Sequence, residues 1–297
     1  MYSQIDSNKR NSVLLMMAAI ATLIALGYVF DLASGRQNYG GVAIAVFFSF
    51  IMTAVSYFQG DKIALWSTGA KPVLHDENQY LYHLVENLCI TSGSPMPKIY
   101  VINDPAINAF ATGRKPELAS VAVTRGAMEK LNKEELEGVL AHELSHIKNY
   151  DIRFMTLVAV TVGAISILSN IFLRSRWFSG GRDSDRDNGG GQLATIFMII
   201  GIIFAILSPI IAELIKLAVS RRREYLADAS SALLTRYPEG LARALEKIAS
   251  ENLPLRSASS ATAHLFIANP FNGKKLSAMF STHPPVEDRI KKLREMV

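Results

Sequence analysis

Residues 141–151 read AHELSHIKNYD, and within them His142, Glu143 and His146 spell H-E-x-x-H. On an α-helix, positions i and i+4 share a face. Both imidazoles can therefore reach one Zn2+ from the same side. Glu143 flanks that face, where a carboxylate can serve as general base on water at the metal. Upstream signals support a helix. Asn132 with Glu135 three residues on forms a capping box, and Leu136, Val139 and Leu140 supply an apolar face.

Two histidines make an incomplete site, because a hydrolytic zinc takes three protein ligands and keeps one position open. Residues 221–230, RRREYLADAS, offer Glu224 and Asp228, again spaced i, i+4. Glu224 could complete the set, and Asp228 could accept the free ring N–H of a ligating histidine and fix its tautomer. Spacing alone leaves equally open that Glu224 pairs with the adjacent arginines on a solvated face.

The chain around these motifs is apolar. Of its 297 residues 49% are hydrophobic and only 19% charged, with mean hydropathy +0.20. A soluble domain carries about 25% charged residues, so an ordinary cytosolic enzyme is disfavoured and a disordered chain excluded. Cys89 is the single cysteine, which rules out an internal disulfide framework. The net charge of +5 comes with no basic–aromatic stripe or zinc-finger spacing, so no nucleic-acid partner is expected.

The hydrophobic excess sits in blocks at Val13–Phe30, Gly40–Phe58, Phe154–Leu173 and Leu193–Ala212. A bilayer crossing takes about 20 apolar residues, and all these blocks reach or approach that length. A cleaved signal peptide is the competing account of the first, and a re-entrant hairpin of the last two. The Gly-, Asp- and Arg-rich stretch 174–192 reads as a loop. Two crossings, or one re-entrant hairpin, separate His146 from Glu224 and return the chain to its starting side. Helices continuing out of the bilayer from both motifs would set the metal within roughly 20 Å of the membrane surface.

In the soluble stretches, residues 77–90 have helical apolar spacing, while 98–102 and 118–124 read as strands. Asn108–Ala111 and a turn lie between those strands. The last stretch is mostly helical, broken by prolines. His75, His83 and His264 have no convergent partners and read as ordinary surface or core histidines.

Together the motifs resemble those of the HtpX heat-shock proteases, membrane-bound zinc endopeptidases of the gluzincin type related to prenyl-protein proteases. The resemblance includes two N-terminal spans, H-E-L-S-H, two further spans, R-x-x-E-Y-x-A-D, and S-T-H-P-P-x-x-x-R at 281–289. It implies a mainly α, membrane-integrated chain: four apolar helices plus a zincin-like α+β catalytic domain with a small sheet. Residues 1–60 would hold two spans and 154–212 two more. Residues 61–153 and 213–297 would form the two halves of the catalytic domain.

The resemblance further implies one Zn2+ held by His142, His146 and Glu224, with Glu143 as base. Asp228 would support a histidine ligand, His283 would stand near the oxyanion, Arg289 would follow it, and Asn149 would brace the site. Asn108, Ala109 and Phe110 would line the substrate cleft. The implied partners are misfolded or unfolded membrane polypeptides and the lipid bilayer, at a bacterial inner membrane with the catalytic domain facing the cytoplasm. Lys9 and Arg10 before the first block against Arg36 alone after it favour that orientation. Arg174, Arg176, Arg182 and Arg186 oppose it if four crossings are made. A prenyl-protein protease, or a membrane chaperone with structural zinc, are the alternative functions.

Overall fold

The computed structural model describes residues 2–33, 39–164, 220–251, 253–271 and 283–296. Two long helices open the chain, α1 (Tyr2–Ala33) and α2 (Gly40–Ser67). They pack closely because Gly27 and Gly41 carry no side chain. A Cβ on Gly27 would stand 2.6 Å from the Cβ of Ala45 and 2.7 Å from the Gly41 carbonyl oxygen. The Asp31 carboxylate accepts from the amides of Gly41 and Val42 at 2.8 and 2.9 Å. It thereby satisfies two of the free N–H groups at the start of α2 and faces that helix's positive end.

Among the described residues, α2 is the helix long and apolar enough to cross a membrane. Its Ile44, Phe47, Phe48, Phe50 and Phe58 side chains are exposed. The first apolar block lies within α1, and the third begins in a helix over 151–164. The rest of the third block, the loop at 174–192 and the fourth block fall outside the described residues, as does Ser281-Thr282.

Strand β1 (Lys71–Pro72) leads to helix α3 (Gln79–Ser92), then β2 (Lys98–Ile102), β3 (Ala109–Thr112) and β4 (Ser120–Thr124). The sheet order is β1-β2-β4-β3, with β2 and β4 parallel and the outer pairs antiparallel. Alternation of side chains across the pleat sorts it into two cores. Ile99, Ala109, Ala111, Val121 and Val123 join the Leu81, Leu84 and Leu88 face of α3. Ile102, Phe110 and Ala122 face Leu65 of α2, Met155 and Phe266.

The expected helix at 77–90 is shifted to Gln79–Ser92, because Asn78 caps the amide of Leu81 and Gly93 ends the helix at φ 65°. The second strand starts at Ser120 rather than 118, since Pro116–Leu118 forms a 3-10 turn. The segment between the two strands is itself a strand, β3.

Helix α4 (Arg125–Lys130) precedes α5 (Lys133–Lys148), which carries H-E-x-x-H behind the Asn132–Glu135 capping box. The motif helix does not run on into the third apolar block. It stops at Asn149, Tyr150 turns left-handed at φ 60°, and a new helix, α6, starts at 151. Among the described residues, helices α7 (Arg221–Thr235), α8 (Pro238–Glu251) and α9 (Val286–Arg294) follow. Gly138 lets α5 touch α8, for a Cβ there would stand 2.7 Å from the Leu241 amide nitrogen. The Ser231 hydroxyl donates to the Gly138 carbonyl at 2.8 Å and fixes α7 to the same point.

Candidate metal centre

Helix α7 buries Arg223, Glu224, Asp228 and Ser231, a polar stripe turned inward. The stripe faces His142, Glu143 and His146 of α5, which are all buried. One donor atom from each of His142, His146 and Glu224 lies within 4.8 Å of the others.

Each histidine is held from behind. Asp228 Oδ1 lies 2.9 Å from His142 Nδ1, and Asp151 Oδ2 lies 3.0 Å from His146 Nδ1. An ionised carboxylate only accepts, so both Nδ1 atoms carry the proton. The Arg289 nitrogen 3.5 Å from His142 Nδ1 is then a contact, not a hydrogen bond. With both rings neutral, as a metal ligand must be, the lone pairs are on the Nε2 atoms, which stand 3.2 Å apart. Two ligands on a tetrahedral zinc, with bonds of about 2.0–2.1 Å, sit about 3.3 Å from each other. Glu224 Oε1 is 3.5 Å from His146 Nε2, and Oε2 is 3.8 Å from His142 Nε2. Buried Oε2 has no hydrogen-bond partner among the described residues. Facing lone pairs beside an unsatisfied carboxylate oxygen fit a divalent cation.

The electrostatics agree. Burial lowers the His146 ring, but the bond to Asp151 and the charges of Glu224, Asp151 and Glu143 outweigh it and push it up to about 9. For His142 burial prevails over Asp228, and its pKa falls. The pocket thus attracts positive charge while keeping one imidazole neutral. Burial raises Glu143 to about 7 against the opposing pull of His146 and an amide bond from Ala111. Its Oε1 has no hydrogen-bond partner among the described residues.

The other expected residues surround this core. Arg289 is fully buried, grips Asp228, and reaches the Ile267 carbonyl at 2.9 Å. His283 Nε2 lies 3.8 Å from Glu224 Oε2. Burial, then Arg289 and His146, lowers its ring to about 3, and the ring donates to the Phe266 carbonyl. Asn149 caps α5 through its backbone, and its carbonyl, rather than its side chain, takes a bond from Asn8. Asn108, Ala109 and Phe110 are buried. The Asn108 side chain donates to the Ala268 carbonyl, Ala109 O accepts from the Ile267 amide, and Phe110 bridges to Phe266. The first half of the β3 edge is therefore already covered by residues 266–268. A cavity of about 350 Å³ opens beside it, with Ile267, His283, Arg289, Leu245 and Ile248 in its walls.

Sequence reasoning missed Asp151, five residues beyond His146 within the motif stretch itself. Its signal was the i+5 carboxylate, which only a helix break at 149–150 can fold back. His264 is a core residue, donating to the Met155 carbonyl at 2.9 Å, and His75 and His83 are exposed.

A family model described as Peptidase family M48 matches residues 75–297. The chain belongs to peptidase family M48. It is 44% identical over 298 residues to a protease HtpX homolog of Caldanaerobacter subterraneus, covering all of this chain and 98% of that one. A protease HtpX homolog of Streptococcus uberis is 40% identical over 296 residues, covering all of both chains. In fold the M48 chain is similar to the crystal structure of S. mikatae Ste24p, with TM-score 0.52 and 20% identity over 99% of this chain and 67% of that one. This M48 protein is a metalloprotease.

Proposed function

We propose that this metalloprotease is a membrane-bound, zinc-dependent endopeptidase that hydrolyses peptide bonds of misfolded or damaged membrane proteins. The carrying observation is the 3.2 Å approach of the two Nε2 atoms beside the unsatisfied Glu224 oxygen, with Glu143 alongside. His142, His146 and Glu224 would hold the ion, the three protein ligands that a hydrolytic zinc takes. Zinc bound there supplies Lewis acidity, polarising the scissile carbonyl and acidifying water.

Glu143, balanced near neutrality, takes the proton of the attacking water and delivers it to the leaving amine. His283 donates to the oxyanion. Its neutral ring has one N–H, now given to Phe266, so that donation requires the ring to leave the Phe266 carbonyl. Asn108, Ala109 and Phe110 shape the cleft, and an extended substrate lies alongside β3. Ala111 shares the outward backbone orientation of Ala109, and its amide already meets Glu143.

Residues 1–60 and 154–212 anchor the enzyme, and 61–153 with 213–297 form the catalytic domain. The exposed phenylalanines of α2 support a lipid partner. Where that apolar stretch ends, Arg114 stacks on Phe58 at 4.9 Å and Arg153 on Tyr150 at 5.3 Å. Aromatic and cationic side chains of this kind mark a membrane–water interface, and cations favour the cytoplasmic side. Those rings and cations, with Lys9 and Arg10, support a cytoplasm-facing domain at a bacterial inner membrane.

The test is Glu143→Gln in the full-length protein. The variant should keep its zinc and leave a denatured membrane protein uncut. Retained cleavage would remove Glu143 as base, and cleavage confined to prenylated peptides by the unmodified enzyme would replace the substrate class.

A further inference from the structure

Asn8 lies on α1, five residues before the first apolar block, yet it is only 2% exposed. A neutral amide so far from the motifs is not expected at a metal centre. Its Nδ2 donates to the Asp151 carboxylate and to the Asn149 carbonyl, the latter at 2.9 Å. Its Oδ1 accepts from Arg223 at 3.2 Å, and the same guanidinium stands 3.8 Å from Asp151 Oδ1. Asp151 spends its other oxygen on His146 Nδ1. All these side chains are buried.

We propose that Asn8 is a positioning residue of the metal centre: with Arg223 it fixes the Asp151 carboxylate that orients His146, making the N-terminal helix a working part of zinc retention. The geometry explains the arrangement. Asp151 follows the left-handed Tyr150 at a break between helices, where the backbone alone leaves its side chain several directions. One oxygen is aimed at His146 only while the other is tied down. Asn8 ties it with a donor and simultaneously holds the Asn149 carbonyl, so both sides of the break are fixed to α1. Arg223 places its guanidinium 3.8 Å from Asp151 Oδ1 and donates to Asn8 Oδ1, so it braces the same carboxylate from a second side. It lies next to Glu224, so the network joins both metal-binding helices to α1. Partners of this kind, which orient ligating histidines, change metal affinity about 10–100-fold when removed. Asn8 acts one bond further out, so its effect should fall at or below the lower end.

The inference rests on the zinc reading above, and its test separates the two. Full-length protein in detergent is loaded with zinc, and zinc loss to a chelator is timed for the unmodified chain, Asn8→Ala, Asp151→Ala and the double variant. Cobalt-loaded samples report coordination by their visible spectra. Asn8→Ala should release zinc about three- to tenfold faster and shift the cobalt bands. In the Asp151→Ala background it should add nothing, because its route to His146 is already gone. If the unmodified chain binds no zinc, the zinc reading itself fails. If it binds zinc and Asn8→Ala releases it at the same rate, only this proposal falls. Equal acceleration with and without Asp151 would mean a general packing role and would also overturn it. Should Asn8→Ala fold poorly, Asn8→Asp keeps the shape while replacing the donor with an acceptor, and it carries the same comparison.

Discussion

Arg289 grips both oxygens of Asp228, Nε to Oδ2 at 2.9 Å and Nη2 to Oδ1 at 2.7 Å, with both side chains buried. Burial alone would raise the Asp228 carboxyl. The Arg289 charge and the bond from His142 outweigh it and hold the group well below the usual carboxylate range. Removing one partner of such a buried pair costs about 3–5 kcal/mol, so Arg289→Ala should be strongly destabilised at pH 7. A depressed carboxyl stabilises the fold above its unfolded pKa of about 3.9 and stops doing so as pH falls through its folded value. The advantage over Arg289→Ala should therefore be full at pH 7 and shrink below about pH 4. Cys89 is the single thiol and is buried, so its rate of maleimide labelling in metal-free protein reads the difference directly. Equal labelling of the two proteins at pH 7 would contradict the prediction.

Asp228 and Asp151 stand behind His142 and His146 at nearly equal distances, 2.9 and 3.0 Å. Asp228→Asn and Asp151→Asn should each weaken zinc binding by about 10–100-fold. Glu224→Ala should weaken it more, since it removes a donor atom rather than a support. Competition with a graded series of chelators ranks the three. A Glu224→Ala protein with unchanged affinity would exclude Glu224 as a ligand.

What could be read in advance follows the range of the interactions. The capping box and the i, i+4 pairs are local. Asn132, Glu135, His142 and His146 accordingly lie where helix periodicity put them. The approach of Glu224 is not local, and spacing left it open between ligand and solvated ion pair. Packing decides: Ser231 against the Gly138 carbonyl brings α7 onto α5, and Gly138 against Leu241 brings α8 onto the same point. Strand β3 was hard to read because Asn108–Ala111 lacks β-branched alternation, and its order comes from the β4 ladder on one side and Phe266 on the other. Asp151 was hidden by the assumption of a continuous helix. Tyr150 at φ 60° breaks it, a conformation that side chains rarely adopt and that sequence does not announce.

The contact at Gly138 leads to a stability prediction away from the metal. A Cβ there would stand 2.7 Å from the Leu241 nitrogen and 2.9 Å from its Cα, and both are backbone atoms that cannot rotate away. Gly138→Ala gains helix propensity of about 1 kcal/mol, but overpacking costs about 1–3 kcal/mol. The net effect should be a destabilised protein with α8 displaced from α5. A raised thermal midpoint for Gly138→Ala would show that the helices separate at little cost.

His264 gives the clearest pH signature outside the metal centre. Burial lowers its ring to about 4, only partly opposed by the bond to the Met155 carbonyl. The folded protein therefore holds the neutral ring at a pH where the unfolded chain, at about 6.5, already binds the proton. Protons favour the unfolded state between those two values, so stability falls as pH drops from about 6.5 to about 4. Above 6.5 both states are neutral and the group contributes no pH dependence. The whole window is worth at most about 3 kcal/mol. His264→Gln can still donate to Met155 without titrating, so its stability should vary less across this window than that of the unmodified chain. Parallel pH profiles of Cys89 labelling for the two proteins would mean that His264 takes up its proton without disturbing the core.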